Sequence, residues 1–101
     1  MIALVMSVSL PMTTYAANWY LEDGSVTVNA DNSGQTVTQG STSTPDEAPV
    51  ITQRESSVET GNTIAISTSD NAAANVTIKD INIKSSNDAI DVKGSSSANI
   101  T

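Results

Sequence analysis

Ala74-Asn75-Val76-Thr77 returns, offset by 24, as Ala98-Asn99-Ile100-Thr101. The echo is not isolated. Val50 precedes Val76 at an offset of 26, Ile64 and Ile66 precede Ile90 and Val92 at the same offset, and Val26 precedes Val50 at 24. A recurrence this regular implies small structural units, each unable to bury its apolar face without a neighbour. Leucine-rich repeats share that period but need leucine at fixed spacings, and Leu21 is the only leucine after Leu10.

The segments inside each unit read as strands. Val26-Thr27-Val28, Thr36-Val37-Thr38, Val50-Ile51-Thr52 and Ile64-Ala65-Ile66 are short, β-branched and separated by Asn, Asp, Ser and Gly, as strands and turns require. In "VTIKDINIK" the apolar residues Val76, Ile78, Ile81 and Ile83 step by two, three and two, whereas a helical stripe steps by three and four. Two strands joined by a bend at Lys79-Asp80 fit. Ile90 and Val92 face in while Asp91 and Lys93 face out, the alternation of a strand with one buried face.

Repeat and strands together predict an all-β chain: a parallel β-helix, or β-solenoid, of about three coils. The core stack would be Val50, Ile64 and Ile66, then Val76, Ile78, Ile81 and Ile83, then Ile90, Val92 and Ile100. Equivalent strands would lie in parallel register about 4.8 Å apart. The last strand would leave an unpaired edge, so the chain is expected to continue beyond Thr101.

The opening stretch, "MIALVMSVSLPMTTYAA", carries no charge, and Thr14-Tyr15-Ala16 has the small-any-small pattern of a cleavage site. It reads as a secretory signal peptide over 1–16, although no Lys or Arg precedes Arg54. Pro11 and the limited length argue against a spanning helix. Residues 17–48 form an N-terminal cap and first strands, with a polar loop over 39–50 ("QGSTSTPDEAPV"). Residues 49–101 form the coils. All eleven acidic and four basic residues lie after the leader, and the net charge of −7 argues against nucleic acid or an anionic membrane as partner. Without Cys or His, the chain has no disulfide staple and lacks the commonest metal ligand and general base.

The stretches "WYLEDGSVTVNADNSGQTVTQG", "DEAPVITQ" and "NVTIKDINIKSSNDAIDVKG" resemble bacterial secreted and surface proteins described as carbohydrate-binding domain-containing, of the broader pectate-lyase-like type. The resemblance covers residues 18–101. It implies that the expected β-helix is right-handed, that the location is secreted or cell-surface, and that the partner is a polysaccharide or cell-surface glycan. No site is carried over by family position.

Sugar recognition uses aromatic platforms and planar polar groups, which makes Trp19, Tyr20, Asn82 and Asp91 the carbohydrate-binding candidates. Trp19, at the N-terminus before the first coil, reads more readily as a cap over the open end of the solenoid than as a ligand platform. Asn75 and Asn99 are spaced for a hydrogen-bonded ladder between neighbouring strands; Asn75-Val76-Thr77 and Asn99-Ile100-Thr101 also match the N-glycosylation triplet, which means little in a chain resembling a bacterial family. Asp80, Asp88 and Asp91 lie close in sequence, but a Ca²⁺ site wants six to eight converging oxygens. No D-x-D-x-D-G loop is present, so they read as solvated turn residues and no metal or cofactor is expected. No catalytic residue stands out either. The expectation is a non-catalytic, monomeric binding or adhesion segment without membrane insertion. The alternatives are the first part of a polysaccharide lyase or glycosidase, with its active site downstream, and a structural stalk or cap.

Overall fold

The computed structural model describes residues 17–94 and 98–100. The leader expected over 1–16 lies outside them.

Among the described residues, nine strands are shared between two sheets. They are β1 (Asn18–Tyr20), β2 (Val26–Asp31), β3 (Gly34–Gln39), β4 (Thr42–Pro45), β5 (Val50–Thr52), β6 (Ile64–Thr68), β7 (Ala74–Ile78), β8 (Ile90–Gly94) and β9 (Ala98–Ile100). A 3₁₀ turn, Leu21–Asp23, follows β1. The first sheet runs β9-β7-β5-β1 and its pairings are parallel. The second runs β4-β3-β2-β6-β8. Its β2-β6 and β6-β8 pairs are parallel, while β2-β3 and β3-β4 are antiparallel.

The local chemistry explains these elements. Asp31 accepts hydrogen bonds from the Ser33 backbone N–H and hydroxyl at 2.9 and 2.6 Å, an Asx turn that reverses the chain between β2 and β3. Between β6 and β7, Asp70 and Asn71 both hold positive φ, 56° and 63°. The Ala72 N–H donates to the Ser69 carbonyl at 2.9 Å, closing a turn of the kind such residues favour. Asp80, with φ 54°, makes the bend expected at Lys79-Asp80, but the second strand expected after it is not formed: Ile83 makes only an isolated parallel bridge with Thr60.

The fold is all-β, but it is not the right-handed parallel β-helix expected from the repeat. It is a small sheet domain, and two observations overturn the solenoid. Strands β2, β3 and β4 form an antiparallel meander within one sheet, which coils of the expected period cannot contain. The pairing intervals also drift. In the mixed sheet Val26 pairs with Ile64 at an offset of 38, and Ile64 with Ile90 at 26. In the parallel sheet the offset from Asn18 to Val50 is 32, from Val50 to Thr77 it is 27, and from Ala74 to Ala98 it is 24. Val26 and Val50, aligned by the repeat, lie in different sheets. The polar loop expected over 39–50 contains β4, a strand without apolar alternation at a sheet edge.

The core lies between the sheets and consists of Leu21, Val26, Val28, Ala30, Val37, Ile51, Ile64, Ile66, Ala74 and Val76. Ile78, Ile81 and Ile83 are partly buried against it. Val50 stands one residue out of the expected register: it pairs with Thr77, and its neighbour Ile51 pairs with Ile78. A one-residue slip exchanges the two faces of a strand, so Ile51 is buried and Val50 only half-buried. Ile90, Val92 and Ile100, expected in the stack, stay 38, 46 and 44 % exposed.

Candidate functional site

Among the described residues, a depression of about 480 Å³ lies where the start of β6 meets the segment leading into β8. Thr63, Ile64, Ala65, Ser86, Asn87, Asp88 and Asp91 line it. The parallel register sets Ala65 beside Asp91. Both stand on the face opposite Ile64 and Ile90, because side chains alternate along a strand. The small Ala65 side chain leaves room, and Asp88 and Asp91 bring two carboxylates to the rim. Lys93 sits 3.3 Å from Asp91 across an exposed pair, and the Asn87 N–H donates to the Ser85 hydroxyl at 3.0 Å, shaping the approach to β8. Carboxylate, amide and hydroxyl groups on one open surface suit a ligand rich in hydroxyls. Among the described residues no three acidic side chains gather as a metal ion would require.

The other binding candidates lie elsewhere. Trp19 is partly buried against the core, and its indole N–H donates to Asp46 at 2.9 Å. Tyr20 has one ring face covered by the Arg54 guanidinium, 4.2 Å from the ring centroid. Asn82 is tied into a loop: its backbone N–H donates to Gln53 and its side-chain amide donates to the Ser56 carbonyl at 3.1 Å. Asn75 and Asn99 are paired in register on β7 and β9, but the Asn99 side chain lies outside what is described. Of the four sugar-binding candidates, only Asp91 borders the depression.

A charged clasp joins the 3₁₀ turn to the loop after β5. Glu22 accepts from two successive backbone N–H groups, Arg54 at 3.0 Å and Glu55 at 2.8 Å. Arg54 forms a two-pronged pair with Asp23, 2.9 Å at each prong, the geometry that suits a guanidinium to a carboxylate. The donation from the Arg54 N–H holds Glu22 below its ordinary pKa, the Arg54 side chain does the same for Asp23, and Ser33 lowers Asp31. Arg54 is raised in return, chiefly by Asp23.

Sequence reasoning missed a second polar assembly, which is buried. Gln35 on β3 donates through its side-chain amide to the Asp46 and Asn75 carbonyls at 2.9 and 3.0 Å, and accepts from the Asn75 N–H at 2.9 Å. One carboxamide thus links the mixed sheet to β7 of the parallel sheet. Asp46 is fully buried. The available sign was the frame Pro45-Asp46-Glu47-Ala48-Pro49, where two prolines fix the backbone around the acids.

No protein-family model, curated protein or solved structure matches the chain. No helix among the described residues is long and apolar enough to cross a membrane.

Proposed function

We propose that this chain is a non-catalytic carbohydrate-binding or adhesion segment of a secreted or surface-displayed bacterial protein, meeting a polysaccharide at the depression beside β6 and β8. One observation carries the reading: an open depression of about 480 Å³ whose lining includes Thr63, Ser86, Asn87, Asp88 and Asp91. Those side chains offer the acceptors and donors that sugar hydroxyls need. The sequence resemblance over 18–101 supplies the ligand class. The test is a glycan array probed with the secreted chain and with Asp88→Ala/Asp91→Ala. Retention on a polysaccharide by the parent, reduced at least tenfold in the double variant, supports the proposal. No retention on any glycan, or equal retention by both proteins, overturns it.

A structural role as a stalk or cap is the second reading, and it too has a specific support. Trp19 and Tyr20, the aromatic residues after the leader, are engaged with Asp46 and Arg54 within the chain. They hold β1 in place instead of presenting two free ring faces to a sugar.

A further inference from the structure

We infer that cleavage after Ala16 produces a structural ion pair, in which the new α-ammonium of Ala17 is held by the buried carboxylate of Asp46. The inference rests on the secretory-leader part of the proposed reading and assigns a role to the amino group that processing creates.

Asp46 is 0 % exposed. Its Oδ1 accepts from the Ala48 N–H at 3.0 Å. Its Oδ2 accepts from the Trp19 indole at 2.9 Å and from the Ala17 nitrogen at 3.1 Å. These partners are neutral. The salt bridges among the described residues are Arg54 with Asp23 and Lys93 with Asp91, so no described Lys or Arg pairs with Asp46. The polar groups packed around it do not supply a cation either: Gln35 from β3 is neutral, and Glu47, beside it, accepts the Gln35 N–H at 3.1 Å. A carboxylate removed from water is costly unless a positive charge meets it.

Processing supplies that charge at the required place. Water adds across the Ala16–Ala17 peptide bond under a secretory peptidase. Ala16 leaves as a carboxylate, and the freed nitrogen of Ala17 takes up a proton. That nitrogen already lies within hydrogen-bond distance of Oδ2. The Ala17 carbonyl also accepts the Val50 N–H at 3.0 Å, which holds the residue at the start of the β1-β5 pairing. Hydrolysis therefore converts a neutral contact into a charge-assisted one with the atoms in place. The unprocessed chain lacks this cation, and the processed chain gains a stronger attachment of β1.

The test begins with the full chain, leader included, expressed in a secreting host, and the intact mass of the product. A mature chain starting at Ala17 is expected; any other first residue overturns the inference. The α-amine of that product is then ¹³C-methylated and titrated by NMR. Its pKa is expected above the ordinary range of about 7.7–8.0, and to fall back toward that range in Asp46→Asn. An ordinary value in the parent overturns the pairing even if Asp46→Asn fails to fold. Finally, one serine is inserted between Ala16 and Ala17, so that processing displaces the ammonium by a residue. The insertion is expected to lower Tm in the parent and to change it much less in Asp46→Asn; an equal drop in both would mean bulk alone and would sink the idea. Glycan retention is indifferent to these outcomes, so failure here and failure of the binding reading are distinguishable.

Discussion

Ile64 and Ile90 sit side by side in parallel register, as do Ile66 and Val92, yet their fates differ. Ile64 and Ile66 are at most 1 % exposed, whereas Ile90 and Val92 retain 38 and 46 %. Residue type, strand alternation and turn chemistry are nearly the same in β6 and β8. The difference is what covers them. β6 lies between two strands, and its apolar face meets Val76 and Ala74 of the other sheet within the core. β8 is the edge of its sheet among the described strands. Alternation decides which face a side chain takes; burial is decided by the neighbours that the fold provides.

This contrast can be broken most forcefully in the core. Ile66→Ala is expected to cost about 2–5 kcal/mol, since it removes buried atoms and leaves a cavity. Val92→Ala should cost under about 1 kcal/mol, because the site is half open to water. Urea unfolding of both variants checks the difference, and equal losses would mean that β8 is as enclosed as β6. Gly94 tests the same pair of strands through the backbone. Its φ is 130°, and an added Cβ would run into the Thr68 carbonyl oxygen, hydroxyl and backbone nitrogen. Gly94→Ala is therefore expected to cost about 1–3 kcal/mol and to raise amide exchange in β8 more than in β2. Uniform loss of protection in both strands would contradict that localisation.

Gln35 offers a test away from the edge. Removing its carboxamide withdraws hydrogen bonds from Asp46 and Asn75, so Gln35→Ala is expected to lower stability by about 1–3 kcal/mol. The extra exchange should appear in β7 and the Pro45–Pro49 segment, with β8 little changed. The smallest effect belongs to the exposed acids of the clasp and of the β2-β3 turn. Glu22, Asp23 and Asp31 have lowered folded pKa values, so their contribution is present above the unfolded values, about 3.9 for Asp and 4.3 for Glu. It is lost as pH falls through the lowered folded values. A shallow decline in Tm below about pH 4 is expected, reduced in Arg54→Ala because Asp23 loses the side-chain partner that lowers its pKa. An undiminished decline in that variant would put the acid sensitivity elsewhere.

The strands of the repeat were legible because β-branched residues alternate with polar ones between Asn, Asp, Ser and Gly. The parallel partnership of Ala74-Asn75-Val76 with Ala98-Asn99-Ile100 follows the written repeat. The exchange of Val50 for Ile51 was not legible. Choosing between two intervals that differ by one depends on how much chain a corner consumes, and left-handed residues such as Asp70 and Asn71, between β5 and β7, change that count without altering the apolar pattern. β4 was hidden because Thr42–Pro45 has no apolar face to declare it: it pairs through its backbone at an edge. The solenoid expectation failed for a related reason. A period describes how strands recur, but it does not reveal that three consecutive strands stay in one sheet. At the candidate site, Asp91 was legible as an outward acid, whereas the part played by Ala65, Ser86 and Asn87 depends on two segments meeting across the sheet.

The meander of β2, β3 and β4 carries a kinetic consequence. Its Asn32-Ser33 and Gly40-Ser41 reversals bring partners together across tight turns, while the parallel pairings join strands far apart in the chain, such as Val26 with Ile64 and Asn18 with Val50. Short loops close at lower entropic cost, and sequence-distant pairings slow assembly. The hairpins are thus the natural starting point for folding, and a chain still being synthesised can present that template before its last strands have arrived.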